Sequence, residues 1–281
     1  MQTQVGHLAR SEKCQKPTLP AHDKLETCLG CESTMLDFTG QIAVVTGASK
    51  GIGYFIAKEL AIAGAHVIAV ARSNDGLRKL QGENDGKVKD RFTLRTVDLA
   101  DMHAIDGLGK FVEDGWGRTD VLIANAGEFG PAGPIADLDP TEFEHTILLN
   151  FISTWRLIKA FDGLLRRSEG ARALVVTSGA VHAAQAFWGA YPASKAACEA
   201  LTHMWSNETK DMPLRVNLFD PGPTQTSIRD NIPDIRGKSS DLAQPEDVAR
   251  KALHAVAPNL NHTGQIYQAK FDRWVRRQFP N

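Results

Sequence analysis

Cysteine is nearly absent from the body of this chain: Cys14, Cys28 and Cys31 crowd into the amino-terminal stretch, and Cys198 alone lies beyond it. A disulfide framework is thereby excluded for the main part, and a reducing compartment is expected. Long hydrophobic runs are missing too. No segment reaches the roughly eighteen apolar residues of a transmembrane helix, so no membrane partner is expected. Charge of one sign is also not in excess, with 32 Lys and Arg against 33 Asp and Glu and a net charge of -1. That balance gives no electrostatic reason to expect nucleic acid or an anionic surface, and it favours a small-molecule ligand. Internal repeats and low-complexity blocks are absent as well.

Residues 1–34 differ from the rest. They are rich in Gln, Lys, Thr, Pro and His and carry neither a periodic apolar pattern nor the apolar core of a signal segment. A disordered extension is expected there, ahead of a single domain over residues 35–281, with Met35 as a candidate natural start. Cys28 and Cys31 form a CxxC that Cys14 and His22 could complete as a zinc site, but the spacing matches no standard finger and no metal is expected. The missing signal segment and the cysteine-poor body together predict cytoplasmic residence.

From residue 41 onward, short β-branched runs alternate with amphipathic stretches. "QIAVVT" (41–46), "HVIAVA" (66–71), "FTLRTV" (92–97), "VLIAN" (121–125), "ALVVTS" (173–178), "RVNLFD" (215–220) and "GQIYQA" (264–269) read as seven strands, with helices between them. Such repetition needs crossover connections. It predicts a doubly wound α/β domain with a mostly parallel seven-stranded sheet and helices on both faces. In sheets of this kind ligands bind beyond the carboxyl ends of the strands, so chemistry is expected there.

Beyond the first strand stands "TGASKGIG", with Gly47, Gly51 and Gly53 at a strand-to-helix turn. Glycine permits positive φ and a close backbone approach, and the helix opening here points free amides and its positive end at an anion. Pyrophosphate is the expected occupant, held also by Ser49, Lys50 and Ile52 of the same turn. The second strand ends in Ala71 and Arg72, where a carboxylate would select a bare ribose and a base accommodates a 2'-phosphate. With Lys50 as a second cation, NADP(H) is predicted over NAD(H). Asp98, closing the third strand, could accept from the adenine amino group or cap the following helix.

"YPASK" sets Tyr191 and Lys195 four residues apart, neighbours on one helical face. A phenol titrates near pH 10, and an adjacent ammonium is expected to lower that value toward the range useful for proton exchange. Ser178, at the end of the fifth strand, could bond the same carbonyl oxygen. "TGASKGIG", "NAG" at 125–127, Asn150 in "LLNFIS", Ser178, "YPASK" and "PGPTQT" at 221–226 together resemble the short-chain dehydrogenase/reductase family over roughly residues 37–270.

The resemblance implies a Rossmann-type fold and a tetrad of Asn150, Ser178, Tyr191 and Lys195, with Asn150 holding a water in a relay through Lys195. It implies that Asn125, Ala126 and Gly127 run along the cofactor, that Lys195 also bonds the nicotinamide ribose, and that Pro221, Gly222, Thr224 and Thr226 surround the carboxamide. A mobile substrate loop is expected at 227–242, and a homodimer or homotetramer through helices beginning near 139 and 189. The expected function is NADP(H)-dependent hydride transfer between nicotinamide and a small carbonyl or secondary alcohol. The alternative is a silent NADP(H)-binding regulatory module, against which the intact Tyr and Lys stand. Phe187, Trp188, Val181 and His182 are expected to line an apolar pocket; Trp188 could equally be core or a subunit contact.

Overall fold

The computed structural model describes residues 36–183, 185–232 and 242–276. The expected extension with its three cysteines and most of the expected substrate loop lie outside those residues.

Seven strands follow the apolar runs closely: β1 (Ile42–Thr46), β2 (His66–Ala71), β3 (Phe92–Thr96), β4 (Val121–Ala124), β5 (Arg172–Val176), β6 (Arg215–Asp220) and β7 (Ile266–Gln268). An eighth, β8 (Arg273–Val275), was not expected. The sheet order is β3-β2-β1-β4-β5-β6-β7-β8, parallel throughout except for the final β7/β8 pair, which is antiparallel. The correction from seven strands to eight has a simple physical cause. β8 is a three-residue edge strand flanked by polar residues, held by Trp274 stacking on His262 and tilting against Tyr267 rather than by an apolar run of its own.

Alternation along the strands explains why they read as continuous apolar runs. Ala43 and Val45 of β1 face one core, shared with α1 (Gly51–Ile62) and α9 (Pro245–His254), while Ile42 and Val44 face the other. That second core is closed by α4 (Met102–Trp116), α6 (Ser153–Arg166) and α8 (Ala190–Glu208), with Ile105, Phe161 and Trp205 buried in it. A sheet covered on both faces must be apolar on both. The order reverses between β1 and β4, and that switch point opens the crevice described below.

Two local departures matter for function. α5 (Pro140–Ile147), capped by Asp139 onto the Glu142 amide, does not run straight into α6; a π-helical turn, Leu148–Ile152, intervenes and carries Asn150. Before α8, Gly189 adopts φ +57°, and a side chain there would meet the Pro131 carbonyl at 2.3 Å. Among the described residues no helix is long and apolar enough to cross a membrane.

Candidate active site

A cavity of about 810 Å³ runs along the carboxyl edge of the sheet from β2 to β7. Its nucleotide end begins at the glycine turn. Thr46 Oγ1 accepts from the amides of Asn125 (3.0 Å) and Ala126 (3.2 Å), and Asn125 Nδ2 donates to the Thr46 carbonyl (2.9 Å). These bonds lock the segment after β4 to the end of β1. The consequence is crowding: a β-carbon on Gly47 would lie 2.7 Å from Asn125 Nδ2, and one on Gly53 only 2.3 Å from that nitrogen and 2.5 Å from the Gly47 carbonyl. Gly53 is therefore required by packing behind the cavity, while Gly47 (φ +69°) and Gly51 (φ +60°) shape its wall.

The amino end of α1 opens into the cavity with Lys50 as its N-cap residue and no side chain capping it. Uncapped amides at a positive helix end fit a pyrophosphate. Ser49, Lys50, Gly51 and Ile52 line this end, and Arg72 and Ser73 line it from the end of β2, with Lys50 and Arg72 both exposed. The residues present thus fit a phosphorylated dinucleotide. Asp98 is exposed and lies outside the lining, although Val97 and Leu99 on either side belong to it. Nor does Asp98 cap a helix: it accepts from the Ala100 amide, and Asp101 caps α4 through the amides of His103 and Ala104. Of its two expected roles, the cap is corrected by this geometry.

At the other end Ser178, Tyr191 and Lys195 share one wall with Ala126, Gly127, Pro221, Gly222, Thr224 and Thr226. Ser178 follows β5 and hydrogen-bonds the Tyr191 phenol; its Oγ also accepts from the Ala180 amide at 3.2 Å. Lys195 is buried and donates through Nζ to the Val176 carbonyl at 2.8 Å, leaving two of its three protons for other acceptors. Thr224 is buried with its hydroxyl on the Gly222 carbonyl.

The expected acidification of Tyr191 by Lys195 is not what the protein alone produces. Burial pushes the phenol above its ordinary value; the Ser178 hydrogen bond opposes this, and the Asp220 carboxylate adds to the rise. Burial also lowers the Lys195 ammonium, because a dry site disfavours charge of either sign.

Asn150 is fully buried behind the cavity. Its Oδ1 accepts from the Glu128 amide (2.9 Å), and its Nδ2 donates to the Glu128 carbonyl and to Ser194 Oγ, both at 2.9 Å. Its own carbonyl accepts from Thr154 Oγ1 (2.8 Å) and Cys198 Sγ (3.2 Å). The side chain therefore welds the segment after β4 to α8. A β-carbon on Gly127 would lie 3.0 Å from Asn150 Oδ1 and 3.5 Å from Lys195 Nζ, so glycine keeps the space between those two groups open.

Trp188 lines the cavity as expected, with its ring edge-on to Phe129 at 5.5 Å, and Phe129 in turn packs 5.3 Å from the Tyr191 ring. Three expected lining residues are corrected. Phe187 is exposed, in a positive-φ conformation (φ +69°), with its carbonyl bonded to the Gly133 amide. In the single turn α7 (Ala180–Ala183), Ala180 and Ala183 face the cavity, while Val181 and His182 do not; His182 lies 3.9 Å from buried Glu199. Phe129, Leu149, Asp220, Lys270 and Phe271 line the cavity and were not expected. Only Asp220 carried a usable signal, an acid closing a strand at the edge where ligands bind.

Comparison with known proteins agrees with this arrangement. A family model described as short chain dehydrogenase matches residues 41–236. The chain is 36% identical to a fatty acyl-CoA reductase of Acinetobacter baylyi over 79% of its own length and 82% of that protein. It is 31% identical to a glycine betaine reductase of Emericella nidulans over 78% of its length, but it spans only 18% of that protein. Among solved structures it resembles a short chain dehydrogenase of Escherichia coli CFT073 complexed with NADPH, at a TM-score of 0.74 and 27% identity, covering 84% of this chain and 98% of that one. The fold is thus shared with that structure, and the chain belongs to the short chain dehydrogenase family.

Proposed function

We propose that this chain is an NADP(H)-dependent oxidoreductase acting between a small apolar or ring-bearing carbonyl compound and its secondary alcohol. The observation that carries the reading is one cavity with two ends: an uncapped helix terminus with Lys50 and Arg72 at the first, and Ser178, Tyr191 and Lys195 together at the second. The NADPH bound by the similar Escherichia coli protein supports the choice of cofactor. Gly47, Ser49, Lys50, Gly51 and Ile52 would hold its pyrophosphate, Arg72 its 2'-phosphate, and Thr224 and Thr226 the nicotinamide end.

When bound, the nicotinamide supplies or accepts the hydride. Ser178 donates a hydrogen bond to the carbonyl oxygen and fixes its position. Tyr191 gives that oxygen its proton as the carbon is reduced, and takes the proton back in the oxidative direction. Lys195 stabilises the phenolate left behind, and its ammonium is held in place by donating to the Val176 carbonyl. Because burial keeps Tyr191 protonated, reduction should hold a plateau through neutral pH and fall only as alkaline pH strips the phenol. Phe129, Trp188 and Leu149 make the substrate wall apolar and put ring and aliphatic ketones first among substrates, and the fatty acyl-CoA reductase likeness adds aliphatic aldehydes, whose product is the primary alcohol.

The test is loss of NADPH absorbance over such a panel. Turnover of any member supports the reading. Tight NADPH binding with no turnover throughout favours the regulatory module, and tighter NADH than NADPH binding overturns the cofactor assignment. Trp155 and Met204, exposed on α6 and α8, support assembly into a homodimer or homotetramer; light scattering of the pure protein would read a monomer if that is wrong.

A further inference from the structure

Asp220 closes β6 and is 9% exposed, yet it belongs to the cavity wall. Its Oδ1 accepts two backbone amides, Gly179 and Gly222, each at 3.0 Å. Gly179 follows Ser178 directly, and Gly222 is the second residue of the Pro221–Thr226 loop. One carboxylate oxygen therefore ties together two loops that meet at the chemical end of the cleft. A hydrogen bond from an amide to an ionised acceptor is stronger than a neutral one, and two on the same oxygen restrict both loops. A β-carbon on Gly179 would lie 3.4 Å from Asp220 Oδ2, an ordinary contact, so the link between turn and carboxylate is the amide hydrogen bond itself.

We propose that Asp220 is a positioning residue that also acts electrostatically: it clamps the Ser178 turn, whose hydroxyl bonds the Tyr191 phenol, to the Pro221–Thr226 loop, and so holds its charge within the cavity that both residues line. The clamp sets where the Ser178 hydroxyl stands relative to Tyr191. The charge resists formation of a phenolate and so keeps Tyr191 a proton donor, the state that carbonyl reduction requires; this rests on the functional reading above. Burial is the larger cause that holds the phenol up, and the Asp220 carboxylate adds to it. The other ionisable groups of the helix that carries Tyr191 and of the elements and cavity it faces are Lys195, Cys198 and Glu199 on α8, His182 of α7 near Glu199, Glu128 bonded to Asn150, Arg229 and Lys270 in the lining, and Lys50 and Arg72 at the far end. Among these, burial raises the Cys198 thiol, which makes it a weak source of charge near neutrality.

The chain holds three tyrosines, all raised by burial, so a difference titration against Tyr191→Phe isolates the phenol of interest. Tyr54 and Tyr267, bonded to Glu83 and Asp272, are both pushed far up by burial and by those carboxylates. Ultraviolet titration of tyrosinate in the full-length protein, with Tyr191→Phe identifying the Tyr191 transition, then reads the phenol without any turnover. Asp220→Asn keeps an oxygen for both amides and removes the charge. The expected result is a Tyr191 transition moved to lower pH and, where activity is measurable, an alkaline limb of kcat moved the same way. Asp220→Ala, which also releases the clamp, should in addition lower kcat more than it changes KM. An unmoved Tyr191 transition in Asp220→Asn overturns the electrostatic role, and unchanged kcat in Asp220→Ala overturns the clamp. Should the asparagine variant not fold, Asp220→Ser is read by the same titration. Because the titration needs no substrate, its failure is distinguishable from failure of the functional reading, which would show as no turnover with a normally shifting phenol.

Discussion

Beyond β1 and β2 the cleft is shaped by backbone, and its cations stand in water; beyond β5 and along α8 it is shaped by side chains withdrawn from water. Lys50 and Arg72 are exposed, whereas Asn150, Ser194 and Lys195 are buried, with Asn150 donating to Ser194 and Lys195 to the Val176 carbonyl. The contrast follows from what each end must do. An anion can be held by amides and flexible cations that lose little by staying solvated, but proton transfer needs groups whose charge states are set by their surroundings. Burial is what moves Tyr191 up and Lys195 down, and it acts on the groups that line the chemical end, whereas the cations lining the nucleotide end stay exposed.

The largest effect that would break this comparison is kinetic. Tyr191→Phe removes the proton donor, and turnover should fall by roughly 10²–10⁴-fold, the usual worth of general acid catalysis. NADPH affinity, measured by fluorescence titration, should stay within about threefold, since the nucleotide end is built from other elements. Loss of both together would mean that the two ends are not independent.

How far the contrast was legible before the structure differs between the two ends. The glycine turn reads directly, because positive φ and close approach are demands that one residue type answers. Tyr191 and Lys195 also read, because four-residue spacing on a helix is local. The state of their charges did not, since it depends on burial by Phe129, Trp188 and α8, which no neighbouring residue announces. The π turn at Leu148–Ile152 hides in "LLNFI", an ordinary helical composition. Asp220 was passed over because both of its partners are backbone amides, invisible to residue type. The misassigned face of α7 has a similar cause: four residues carry too little pattern to show which side is turned inward.

A second prediction strikes the nucleotide end through its backbone. Gly53→Ala places a methyl 2.3 Å from Asn125 Nδ2, a side-chain end held by its bond to the Thr46 carbonyl, and 2.5 Å from the Gly47 carbonyl, which is backbone. The expected cost is about 3 kcal/mol or more. For a domain of this size that corresponds to a fall in melting temperature of roughly 6–12 °C in differential scanning calorimetry. A fall under about 2 °C would show that the turn relaxes and that its shape is not dictated by packing. Gly82, with open space around its α-carbon, is the control, and alanine there should cost nothing measurable.

Smaller again is the effect of the cations themselves. Arg72→Ala should weaken NADPH by about tenfold, close to 1.4 kcal/mol, while leaving NADH nearly unchanged. Raising salt should shrink the difference, as it must for an exposed ion pair. Equal losses for both nucleotides would place Arg72 away from the 2'-phosphate, and the exposed end of the cleft would then lack its distinguishing contact.

The smallest effect asks whether the nucleotide end conceals a buried acid of its own. Tyr54 lies on α1, only 7% exposed, with its hydroxyl bonded to Glu83, and burial followed by that carboxylate raises it well above the ordinary phenol value. In the unfolded chain the same group ionises near pH 10, so above that pH the folded state binds more protons than the unfolded state. Linkage then fixes the sign: the contribution is complete below about pH 10 and is lost progressively as pH rises toward the folded value. Urea midpoints at about pH 8 and about pH 10.5 should therefore differ less in Tyr54→Phe than in the parent protein, although the variant begins slightly lower at the first pH for want of the Glu83 hydrogen bond. If the parent and the variant lose the same amount between the two pH values, Tyr54 ionises freely in the fold, and only the chemical end carries groups whose protonation the fold controls.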